Sequence, residues 1–198
     1  MNTTLSAEIA AAAARLVVEE GMEYGPAKRK AARLLGQRGT RAAALPDNDA
    51  VEDEVRAYLD LFHAETQPAE LAVLRRVAAD WMERLAEFRP HLTGAVWRGT
   101  ATRHNSVHLQ LFCDDSKAAE IALLNLGIAY AVDSHRGPRG NDVDMLLISA
   151  PCTELGEVLT VCLSILDHDD LRGALRPDPR GRTERGDLAA LRRKVDPA

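Results

Sequence analysis

The stretch Arg98-Gly99-Thr100-Ala101-Thr102-Arg103-His104-Asn105-Ser106-Val107-His108-Leu109-Gln110-Leu111-Phe112 constrains the fold more than any other. A glycine turn leads into a short polar segment, and polar and apolar residues then alternate from Ser106 to Leu111. Alternation at period two is what a half-buried strand requires, because successive side chains leave opposite faces. This strand must therefore lie in a sheet with one face on a core. The residues ahead of it carry hydroxyls and guanidiniums, groups that hold phosphate well.

Helical periodicity dominates before this point. Ser6 predicts the N-cap of a helix running to Glu20, with Gly21 as its stop. Pro26 opens a second helix over 27–35, ended by Gly36. The acidic block from Asp47 to Glu54 suits the start of a third, which carries Val51, Val55, Tyr58, Leu59 and Phe62 on one side. A fourth begins at Pro68, aligns Leu71, Leu74, Val77, Trp81, Leu85 and Phe88, and is closed by Pro90.

After Gly94 the texture becomes β-prone, with predicted strands over 95–97, 107–113, 128–132, 143–148 and 158–163. One helix interrupts them over 116–126, stopped by Gly127, and 133–141, with glycines around Pro138, reads as a hairpin loop. Asp187 suits the cap of a final short helix. The fold class is α+β: a helical region over 1–90 packed on a mixed-sheet core over 91–198 with an arginine-rich tail.

Composition narrows the function classes. The chain is 46% hydrophobic but only 4% aromatic, so its core is aliphatic. A net charge of −5 argues against a positive coat for nonspecific duplex binding. Cys113, Cys152 and Cys162 lie in apolar runs without metal-type spacing and read as buried thiols of a reducing compartment. No stretch approaches the ~20 apolar residues of a membrane span, and the N-terminus lacks a signal-peptide pattern. A cytoplasmic protein is expected.

The turn at Gly99-Thr100, followed by the strand from Ser106 to Phe112 and the helix and strands after it, resembles the nucleotide-binding corner of polymerase-β-type nucleotidyltransferases. The resemblance covers roughly 92–164. The tail segments Arg172-Gly173-Ala174-Leu175-Arg176 and Gly181-Arg182-Thr183-Glu184-Arg185 fit a closer likeness to bacterial nucleotidyltransferase-like proteins. The resemblance implies that Gly99 and Thr100 cradle phosphate and that Arg98 and Arg103 neutralise it. The bland alternative is an ordinary turn with surface arginines.

The family's Asp-x-Asp slots fall on Ser106 and His108, which therefore line the pocket without supplying carboxylates. Mg²⁺ needs hard, charged oxygen ligands; a neutral hydroxyl brings no charge, and imidazole suits zinc or nickel better. The expectation is a catalytically degenerate protein that binds a nucleotide or nucleic acid, or acts as a regulatory or partner-binding module. The alternative is a divergent Mg²⁺-dependent enzyme that joins His108 to Glu157 or Asp144, with Asp114 or Asp115 as other carboxylate sources. No cofactor is otherwise implied.

Other constellations point less far. His104 and His108 have a zinc-like spacing only on a helix, since four extended residues span about 13 Å. Lys28, Arg29, Lys30, Arg33, Arg38 and Arg41 form a basic run suited to nucleic-acid phosphates or to a solvated helix face. The arginines from Arg172 to Arg193 suit either a cover over the pocket or salt bridges to Asp178, Glu184 and Asp187. There is no P-loop, dinucleotide fingerprint or Gly-x-Ser-x-Gly.

Overall fold

The computed structural model describes residues 3–37, 45–137, 140–172, 177–178 and 180–195. The chain divides into two compact units. One runs up to Leu71 and takes in Thr100–Asn105; the other spans Ala72–Gly99 and resumes at Ser106. The division thus falls inside a helix and not at Pro90.

The first unit is built on α1 (Thr3–Glu20), α2 (Tyr24–Leu34) and α3 (Asn48–Phe62). Their apolar stripes bury Ile9, Ala13, Val17, Ala27, Ala31, Val51 and Val55 in one cluster. Alanine at the facing positions allows close helix approach, and the aliphatic residues fill the gaps. Helix α1 starts one turn before the expected Ser6 cap. Helix α2 starts at Tyr24, which leaves Pro26 in the first turn, where a missing N–H costs nothing. Asp47 caps α3, its Oδ1 accepting from Ala50 N at 2.7 Å.

The basic run is partly consumed here. Lys28 Nζ donates to Asn48 Oδ1 at 2.8 Å and to Pro46 O at 3.0 Å, while Lys30 Nζ meets Glu20 at 2.6 Å. Arg38 and Arg41 lie outside the described residues.

Helix α4 (Gln67–Arg84) leads into the second unit, which also contains α5 (Gly94–Arg98), α6 (Ser116–Asn125) and α7 (Leu188–Val195). Its strands are β1 (His91–Thr93), β2 (Val107–Phe112), β3 (Ala131–Arg136), β4 (Asp142–Cys152), β5 (Glu157–Leu166) and β6 (Arg185–Gly186). They form one sheet in the order β3-β4-β5-β2-β1-β6. Strands β2 and β5 pair in parallel and every other pair is antiparallel, so the sheet is mixed and the fold is α+β.

Register separates two faces. Leu92, Leu109, Leu163 and Leu146 lie side by side across β1, β2, β5 and β4, and all are fully buried. That is the core face. The opposite face aligns Thr93, His108, Cys162 and Leu147, with His91, Gln110, Ser164 and Met145 in the adjacent row.

Several expectations need correction. Ala95-Val96-Trp97 is not a strand but most of α5, a single turn bracketed by Gly94 and Gly99, both with positive φ. A tertiary anchor overrides its β propensity: Trp97 Nε1 donates to Thr183 O at 2.6 Å. Strand β3 begins three residues later than expected and takes up 131–136, part of the expected hairpin loop; Pro138 lies outside the described residues. Strands β1 and β6 are too short to show a period. Asp187 does cap α7, accepting from Ala190 N at 2.8 Å. Cys152 and Cys162 are buried, Cys113 is half-buried, and none is disulfide-bonded. Among the described residues no helix is long and apolar enough to cross a membrane.

Candidate functional site

Gly99, at φ 85°, ends α5 as its left-handed C-cap, and its N–H donates to Ala95 O at 2.9 Å. A helix C-terminus presents carbonyls and the negative end of the helix dipole, the reverse of a phosphate cradle. Arg98 is half-buried on the last turn of α5.

Thr100 belongs to the first unit and is fully buried, its hydroxyl sealed without a hydrogen-bond partner. The segment after it is tied down residue by residue. Ala101 O accepts from Gln67 Nε2 at 2.9 Å, and Thr102 Oγ1 donates to Val18 O at 3.2 Å. Thr102 N donates to Asn105 Oδ1 at 2.8 Å. The Arg103 N–H donates to Glu70 Oε2 at 2.9 Å, and its guanidinium lies 4.0 Å from the same carboxylate. His104 remains exposed, but its carbonyl sits over Gly21, where a Cβ would come within 2.3 Å. Arg98 and Gly99 thus fall in the second unit and Thr100 and Arg103 in the first, where Thr100 is sealed and Arg103 is held by Glu70.

Ser106 and His108 fall in the second unit. Both are half-buried, and His108 stands on the face opposite the leucine core. Gly94 lies beside its ring; a Cβ there would be 3.7 Å from His108 Cδ2.

The carboxylates proposed to act with His108 stand elsewhere. Glu157 pairs with Cys152 and shares the core-side face with Leu159 and Val161. Val161 is opposite Val107, so Glu157 lies a further four residues, about 13 Å, beyond the start of β2. Asp144 and Asp142 on β4 also project from the core-side face. Asp115 caps α6 through Lys117 N, and Asp114 approaches His168, both past the far end of β2. The structure therefore does not bring Glu157 or Asp144 together with His108. Among the described residues no group of three His, Cys, Asp or Glu side chains is arranged to hold a metal ion.

What the His108 face does carry is a set of neutral and cationic groups. Arg185 Nη1 donates to Gln110 Oε1 at 2.6 Å. Burial lowers the Arg185 pKa, with Glu184 and Asp170 pulling the other way. Nearer β3, His135 Nε2 meets Ser164 Oγ at 2.8 Å while its Nδ1 meets Arg136 O at 3.1 Å. Since a carbonyl only accepts, Nδ1 holds the proton in the neutral ring and Nε2 accepts the serine hydroxyl. Sequence reasoning missed this pair, because His135 sat in an expected loop; the period-two spacing of Cys162, Ser164 and Leu166, which puts the three on one face, was the available signal. Two of the tail arginines are salt-bridged. Arg182 binds Asp178 at 3.1 Å, Arg192 pairs with Glu83, and Lys194 Nζ lies 4.5 Å over the Trp97 ring. Arg176 lies outside the described residues.

No family model matches the chain, and no curated protein matches it. Among solved structures it is similar to the Cid1 poly(U) polymerase, a polymerase-β-type nucleotidyltransferase. Against Cid1 with its short product ApU the TM-score is 0.35 at 12% identity, over 51% of this chain and 32% of that one. Against Cid1 with the UTP analogue UMPNPP it is 0.36 at 11% identity, over 56% and 36%. The chain thus spans about a third of the length of those proteins. A likeness at this level fixes neither a site nor a reaction.

Proposed function

We propose that the chain binds a nucleotide or nucleic acid through the sheet face bearing Ser106, His108, Gln110 and Arg185, without two-metal nucleotidyl transfer. The observation that carries this reading is the make-up of that face. On β1, β2, β5 and β6 it offers imidazole, amide, hydroxyl and the Arg185 guanidinium, and no carboxylate stands on this face of those strands. Such groups pair with base edges and phosphates, whereas Mg²⁺-assisted transfer needs charged oxygens. Arg98 and Arg185 would meet phosphate. Thr100, sealed, and Arg103, held by Glu70, would not.

A thermal-shift screen of the four NTPs and a short RNA, with and without Mg²⁺ or Mn²⁺, tests this. Ligand at a hundred times its Kd stabilises by about 2.7 kcal/mol. Stabilisation is expected without metal, is lost in His108→Ala and Arg98→Ala, and persists in Arg103→Ala. Metal-dependent stabilisation with pyrophosphate release would establish the enzyme alternative instead. No shift with any ligand would sink both.

A further inference from the structure

A cavity of about 310 Å³ lies in the sheet-bearing unit, lined by the apolar Met82, Pro90, Leu171 and Leu188 and by the exposed Arg89. His91 from β1 lines this open cleft, and Asp187 from the α7 cap lines it as an exposed residue. His91 is only 5% exposed. Its Nδ1 lies 2.8 Å from Arg89 O, so that nitrogen carries the proton and Nε2 is a lone-pair acceptor. Among the described residues no group bonds Nε2, and His91 lines the cavity. Asp187 uses Oδ1 to cap Ala190 N. The carbonyl that orients His91 belongs to Arg89, at φ 49° the one described non-glycine residue with left-handed backbone. Strain of this kind persists where the surroundings over-determine it, and often at sites.

We propose that this cavity binds a small, apolar-bodied amine or amidinium whose N–H donors bridge His91 Nε2 and the Asp187 carboxylate. Two acceptors on one cleft favour a donor-bearing ligand, and Arg89, exposed on the same lining, is the one group there that would favour an acceptor-bearing one. Burial lowers the His91 pKa, Arg185 adds to that, and the Arg89 carbonyl and Asp187 oppose it, so the ring is an acceptor at neutral pH. His91 stands on the same sheet face as His108, opposite Gln110, but the cavity's lining includes none of Ser106, His108, Gln110 and Arg185, so the proposal does not rest on the reading given for them.

Benzamidine and benzoate, a donor and an acceptor of like shape, separate the possibilities in an NMR titration read at the His91 Cε1–H. Benzamidine is expected to move that resonance saturably at neutral pH, and benzoate is not. Asp187→Asn keeps a good N-cap, so α7 is retained, while benzamidine affinity falls about tenfold. His91→Asn removes binding, with circular dichroism confirming the fold. Equal response to both probes would mark a nonselective apolar void and overturn the proposal. So would unchanged affinity in Asp187→Asn, or no saturable shift at millimolar benzamidine.

Discussion

Residues 100–105 and the outer face of β1 and β2 are equally polar in sequence, yet they fold to opposite ends. In the first, Thr102, Arg103 and Asn105 each find a partner inside the helical unit, and Thr100 is sealed. On the second, His108, Gln110 and Arg185 stay half-buried, Gln110 and Arg185 bonded to each other, and His91 lines a cavity. The difference teaches that spacing shows where a chain turns, whereas burial decides which polar groups stay within reach of a ligand.

The largest expected effect is at Gly21. A Cβ there meets the His104 carbonyl at 2.3 Å with φ at 64°, so Gly21→Ala should cost about 3 kcal/mol or more. Gly127 has equally left-handed backbone but nothing within 4 Å, so Gly127→Ala should cost only about 1 kcal/mol. Equal losses in urea unfolding would mean that the 100–105 segment is not held as described.

Asn105→Ala comes next, at about 2 kcal/mol, because it orphans the buried Thr102 N–H. A loss below about 0.5 kcal/mol would show that water replaces the amide. Arg89→Gly should stabilise by about 1 kcal/mol by relieving left-handed strain.

The smallest effect is with pH. His91 is lowered from 6.5 by burial, so the unfolded state takes up its proton first as the medium acidifies. Its contribution is complete above about pH 6.5 and is lost as pH falls from there through the folded value. His91→Gln should flatten that slope in pH-dependent unfolding; an unchanged slope would place the titration elsewhere.

Legibility followed burial. Helices α1 to α4 and α6 and strands β2, β4 and β5 were readable because each buries one periodic side against a core. Strand β3 was placed poorly because its Asp133-Ser134-His135-Arg136 stretch lies at a sheet edge, where no apolar alternation is required. Helix α5 was hidden because the Trp97–Thr183 contact joins residues 86 apart. The His108 face was half legible: Ser106, His108 and Gln110 follow from alternation, whereas Arg185 reaches Gln110 only through the pairing of β6 with β1. The His91 cavity left no local signal, since its acceptors lie 96 positions apart in the chain (187 − 91).

The parallel contact between β2 and β5 also sets an order of events in folding. Val107 meets Val161 across 54 positions (161 − 107), whereas β3, β4 and β5 follow one another through short reversals. Closing the longer loop carries the greater entropic cost, and contacts of that span form late. The three-strand meander is therefore the expected early nucleus. Substitutions in it, such as Leu146→Ala, should slow folding, and those in β2, such as Leu109→Ala, should mainly speed unfolding.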